Sequence, residues 1–81
     1  MSKVTVLGAG AWGSTMAQVL SDAGNHVLMW GRNQEIVNEI NTRHTNRKYL
    51  DENVLPLGLS ATTDLKQAFE YSNIYVLAVP A

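Results

Sequence analysis

The stretch Val4-Thr5-Val6-Leu7-Gly8-Ala9-Gly10-Ala11-Trp12-Gly13 constrains the fold more than any other part of the chain. A β-branched apolar run leads into Gly-x-Gly-x-x-Gly, and a helical pattern follows at once. That spacing suits a strand–turn–helix in which each glycine has its own task. Gly8 lets the chain reverse tightly at the strand end. Gly10 leaves the backbone open to a pyrophosphate, and Gly13 lets the helix lie close against the strand. The helix then begins with unpaired N–H groups and the positive end of its dipole facing an anion. The six residues Gly8, Ala9, Gly10, Ala11, Trp12 and Gly13 thus read as a dinucleotide-binding turn.

A glycine-rich turn gains weight from its surroundings. Strand one is Lys3 to Leu7, apolar on both faces as suits a central parallel strand. The first helix runs from about Ala11 to Ala23, with Met16, Val19, Leu20 and Ala23 as its expected packing stripe and Gly24 as its stop. His26 to Trp30 is strand two, which completes a βαβ unit. A second helix spans about Gln34 to Arg43, with Asn33 as a plausible N-cap and Ile36, Val37 and Ile40 inward. From Thr42 to Leu59 the pattern weakens into a short helical or irregular excursion. Ser60-Ala61-Thr62 follows as a short third strand. Thr63 or Asp64 caps a third helix, with Gln67 completing a capping box and Leu65, Ala68 and Phe69 forming an apolar stripe. Ile74 to Val79 is strand four. The expected class is α/β: the first half of a Rossmann-type doubly wound parallel sheet, strand order 3-2-1-4. Ligand is expected outside the carboxyl ends of strands one and four, near Gly8 to Trp12 and Val79-Pro80.

With 81 residues the chain suffices for one small unit, and a buried-strand run so near Ala81 predicts an incomplete domain. Residues 1–81 are therefore expected to be the N-terminal portion of a dinucleotide-binding domain, without a substrate domain. A formal net charge of −1 gives no electrostatic case for nucleic acid, and no apolar run reaches the length of a membrane span. The absence of cysteine removes thiolate metal sites and cysteine nucleophiles. His26 and His44 have no spaced partner for a metal or for base catalysis, so neither a metal nor a catalytic residue is assigned. Cytoplasmic location is the default expectation.

Cofactor choice is read at the end of strand two. NAD-selective folds place a carboxylate there for the ribose hydroxyls, whereas this chain has Gly31-Arg32. A guanidinium suits the 2′-phosphate of NADP, so Arg32 favours NADP(H) without excluding NAD(H). Asn33 is open to two roles, a hydrogen bond to that phosphate or the helix cap. Trp12 is read beside the pyrophosphate path or as a plug under the loop. Trp30 is read as core, and Tyr49 as a cofactor contact or ordinary packing.

With these residues in hand, the sequence resembles the NAD(P)-dependent glycerol-3-phosphate dehydrogenases of the bacterial type. The resemblance is carried by Gly8 to Gly13, His26-Val27 through Trp30-Gly31-Arg32, Asn46 with Tyr49-Leu50, Val54-Leu55-Pro56, Ala61 to Leu65 and Leu77 to Pro80. Trp12 is its most telling residue, because related hydroxyacid dehydrogenases usually carry methionine there. Two positions depart: Ala11 stands where serine is frequent, and Asp51-Glu52-Asn53 where a Pro-Gly turn is common. The resemblance implies an enzyme that interconverts dihydroxyacetone phosphate and sn-glycerol 3-phosphate for phospholipid synthesis, a homodimer at full length. It also implies that the catalytic lysines lie beyond this stretch, so the chain alone is expected to show no turnover. Two other readings stay open: a non-enzymatic module that senses NAD(P)H, and a hydroxyacid dehydrogenase of the same superfamily.

Overall fold

The computed structural model describes residues 2–50 and 54–78. Four parallel strands form one sheet: β1 (Lys3–Leu7), β2 (His26–Trp30), β3 (Leu59–Thr62) and β4 (Tyr75–Leu77), in the order β3-β2-β1-β4. The register pairs Leu7 with Trp30 and with Leu77, and Trp30 with Thr62, so all four carboxyl ends reach one rim. This is the expected order. Strand β3 begins one residue earlier than its polar Ser60 suggested, because Leu59 is fully buried against the core. Strand β4 begins one residue later than Ile74, and Val79 and Pro80 lie outside the described residues.

Between the strands lie α1 (Ala11–Asp22), α2 (Gln34–Arg43), α3 (Arg47–Leu50) and α4 (Leu65–Tyr71). Helix α1 buries Gly13, Ser14 and Ala17; of the expected Met16–Val19–Leu20–Ala23 stripe, Leu20 packs against the core, whereas Val19 and Ala23 face solvent. Small residues win that face because they let the helix axis approach the strands, and the larger side chains are turned to its flanks. Helix α4 repeats the pattern: Ala68 is buried, while Leu65 and Phe69 stay exposed. Helix α2 instead packs by Ile36, Val37 and Ile40, as predicted.

Three polar devices complete the frame. The buried Thr5 hydroxyl donates to the Ala68 carbonyl at 2.9 Å, tying β1 to α4. The Asn41 side chain donates to the Ala61 carbonyl (2.9 Å) and accepts from the Ala61 N–H (2.8 Å), which blunts the outer edge of β3. At α4 the Asp64 carboxylate accepts from the N–H groups of Lys66 and Gln67, as an N-cap should. The reciprocal half of the capping box is rerouted: Thr62 Oγ1 accepts the Asp64 N–H and donates to Gln67 Oε1 at 2.7 Å.

The excursion before β3 does contain a short helix. Glu39 Oε2 accepts from Thr45 Oγ1, from the Arg47 N–H and from Arg47 Nε, which ties the start of α3 to α2 while α3 itself packs on α1. These hydrogen bonds, first that from Thr45, hold the Glu39 carboxyl below its ordinary value. The departure at Asp51–Asn53 lies outside the described residues.

Candidate functional site

The turn between β1 and α1 is shaped by close backbone contacts. Gly8 has φ +134°, and a Cβ built on it would come within 2.5 Å of the Ala78 carbonyl oxygen. A Cβ on Gly13 would lie 2.1 Å from the Gly8 carbonyl oxygen. Both glycines are therefore required by the protein's own packing. Gly10 is different: a Cβ there would have no heavy atom of the described residues within 4 Å. Nothing in the described fold asks for glycine at that position, so the space it leaves open is available to a ligand.

Gly10 is also the N-cap of α1. It offers no side-chain cap, and the first turn carries no acidic residue. The helix thus presents its free N–H groups and positive dipole end without internal compensation, an arrangement suited to a phosphate.

Above this turn lies a cavity of about 760 Å³, within the roughly 300–1,000 Å³ common for small-molecule sites. Of the residues expected from sequence, Gly8, Ala9, Gly10, Ala11, Trp12, Arg32, Asn33 and Tyr49 line it. Gly13 does not; it lies beneath, as the contact that seats α1. Trp30, Gly31, Ile36 and Ala78 complete the wall. Trp30 is only half-buried and its Nε1 donates to the Thr63 carbonyl at 3.0 Å, so it walls the cavity instead of filling the core. Trp12 is 68% exposed, which removes the plug reading. Asn33 is the cap of α2: its Oδ1 accepts from the N–H groups of Glu35 (2.9 Å) and Ile36 (3.3 Å).

The two ends of the cavity meet at one contact. A Cβ on Gly31 would lie 2.6 Å from the Ala9 Cβ, so the end of β2 rests directly on the glycine turn. Arg32 leaves that contact exposed to solvent, and Lys48 sits over the Tyr49 ring at 5.4 Å. The cavity therefore joins an uncapped helix start to a rim with a guanidinium, with aromatic and apolar walls between. A dinucleotide has matching parts: a diphosphate, a ribose edge and flat ring systems.

Sequence reasoning quoted Asn46 in the resemblance but gave it no task. The structure buries it completely between the glycine turn and α3, with Nδ2 donating to the Ala9 carbonyl (3.1 Å) and to Ser14 Oγ (2.8 Å). An asparagine in a polar stretch gives no periodic signal, so only the fold could bring it to the turn.

The family model described as "NAD-dependent glycerol-3-phosphate dehydrogenase N-terminus" matches residues 3–81. A glycerol-3-phosphate dehydrogenase, NAD(P)+, of Staphylococcus aureus (strain JH9) is 46% identical over 80 residues, covering 99% of this chain and 24% of the relative. Among solved structures, glycerol-3-phosphate dehydrogenase of Saccharomyces cerevisiae superposes with a TM-score of 0.87 at 36% identity, over 96% of this chain and 26% of that one. The enzyme from Coxiella burnetii gives 0.85 at 32% identity, over 93% and 23%. The chain spans about a quarter of the length of the curated relatives it matches.

Proposed function

The chain belongs to the family of NAD-dependent glycerol-3-phosphate dehydrogenase N-termini, and from that premise we propose that it is the coenzyme-binding portion of a longer enzyme. That enzyme interconverts dihydroxyacetone phosphate and sn-glycerol 3-phosphate. The observation that carries the site assignment is Gly10, an uncapped helix start with open space where any other residue would carry a side chain. The backbone N–H groups of Gly10, Ala11 and Trp12 hold the diphosphate. Trp12 and Tyr49 flank the dinucleotide, and Arg32 takes a 2′-phosphate. The bound nicotinamide supplies or accepts the hydride. This chain's own residues bind and orient it, while the group that protonates the substrate oxygen and the substrate pocket belong to the rest of the enzyme, which acts as a homodimer.

Arg32 makes NADP(H) the preferred coenzyme. Calorimetric titration of the protein with NADPH and NADH, repeated with Arg32→Ala, tests both levels of the reading. The substitution should weaken NADPH binding by about 1.5–3 kcal/mol, the range for a hydrogen bond to a charged group, and leave NADH nearly unchanged. An equal loss for both ligands would refute the 2′-phosphate contact. Failure of the unsubstituted protein to bind either would refute the site itself.

A further inference from the structure

We propose that Asn46 is a positioning residue that aims the glycine turn at the coenzyme diphosphate, an inference that rests on the reading of the cavity above. Asn46 is fully buried, and its amide donates to the Ala9 carbonyl at 3.1 Å and to Ser14 Oγ at 2.8 Å. The Ser14 hydroxyl lies 3.2 Å from the same carbonyl as a second donor. Every peptide bond described is trans, so a carbonyl and the following N–H point in opposite directions across the peptide plane. Drawing the Ala9 carbonyl inward therefore turns the Gly10 N–H the opposite way, and Gly10 lines the cavity. Without that pull, the Ala9–Gly10 peptide is free to rotate and present its oxygen to an anion.

The orientation of the amide follows from chemistry. A carbonyl oxygen accepts only, so the NH₂ end of Asn46 must face Ala9. Among the described residues this leaves Asn46 Oδ1 buried without a partner. An orphaned buried acceptor carries a cost, and its retention is explained if the two donated bonds matter more. Asn46 also begins α3: its own carbonyl accepts from the N–H groups of Tyr49 (3.1 Å) and Leu50 (2.7 Å). One residue thus joins the phosphate-facing turn to the short helix that brings Tyr49 to the cavity.

The test compares two ligands in the full-length protein: NADPH, which has the diphosphate, and adenosine 2′-phosphate, which does not and reaches only the Arg32 end. Asn46→Asp keeps the shape but sets a second acceptor against the Ala9 carbonyl. It should weaken NADPH about tenfold while adenosine 2′-phosphate, measured by competition, stays within about twofold. Ser14→Ala, a mild change within a helix, should give the same selective loss at about threefold and serves if Asn46→Asp does not fold. Unchanged NADPH binding in these variants, or a parallel loss of both ligands, would overturn the proposal by making Asn46 a packing residue. Absence of any NADPH binding by the unsubstituted protein would instead refute the reading of the cavity on which it rests.

Discussion

Two glycines of one turn should respond to the same substitution in opposite ways. In Gly13→Ala the new methyl would sit 2.1 Å from the Gly8 carbonyl oxygen and 2.7 Å from its carbon, well over an ångström inside ordinary contact. Neither atom belongs to a flexible side chain. Helix α1 must therefore lift from β1, or the turn must open against Ala78. Overpacking of this kind costs about 1–3 kcal/mol, and backbone on both sides puts this case at the top of that range or above it. Eighty-one residues at roughly 0.05–0.15 kcal/mol each have only about 4–12 kcal/mol to lose. In Gly10→Ala the methyl meets nothing within 4 Å, and φ is −76°, which alanine accepts. Restricting the unfolded chain stabilises by about 0.4–1 kcal/mol, while replacing glycine by alanine at an N-cap costs about as much. Stability should stay within about 1 kcal/mol, yet the methyl enters the space assigned to the diphosphate. Urea denaturation and NADPH titration of both variants separate the two effects. Equal stability of the two proteins, or full NADPH affinity in Gly10→Ala, would refute the division of labour argued for the turn.

Two other substitutions probe the frame that holds the cavity. Glu39 has its folded pKa below the ordinary 4.5, so its share of stability is complete above that value and is lost as pH falls through the lowered one. Glu39→Gln should flatten part of the acid-induced loss below pH 4.5, and an unchanged acid profile would show that the Thr45 and Arg47 contacts contribute nothing. Asp64→Ala removes the acceptor for the Lys66 and Gln67 N–H groups and should cost about 1 kcal/mol in urea denaturation. No measurable loss would mean that the rerouted Thr62–Gln67 pair holds the start of α4 unaided.

The elements readable in the sequence are those whose signals are local. The glycine spacing located the end of β1 and the start of α1, Asn33 and Asp64 marked their helices by cap chemistry, and Ile36, Val37 and Ile40 gave the inner face of α2 by period alone. Helices α1 and α4 misled for a common reason. Both bury small residues, Gly13 and Ala17 in one and Ala68 in the other, so a search for large apolar side chains finds Leu20 correctly but also draws in the exposed Val19, Leu65 and Phe69. The site followed the same division. Eight of the nine expected residues line the cavity because they lie on the turn, at the end of β2, or on the short helix after α2. Asn46 stayed invisible in its role because its partners, Ala9 and Ser14, are 37 and 32 positions away. Hydrophobicity alone places Trp30 in the core, whereas its indole N–H and its place at a strand end set it on the rim.

The pinch between Gly31 and Ala9 has a bearing on engineering. Position 31 cannot accept a side chain without pushing the second strand off the first turn, and position 33 is committed to holding the start of a helix. Arg32, between them, projects into solvent, where exchanges generally change stability by no more than about 0.5 kcal/mol. If titration bears out the 2′-phosphate contact proposed for Arg32, exchanging this one residue would retune coenzyme choice while its two neighbours keep their structural tasks.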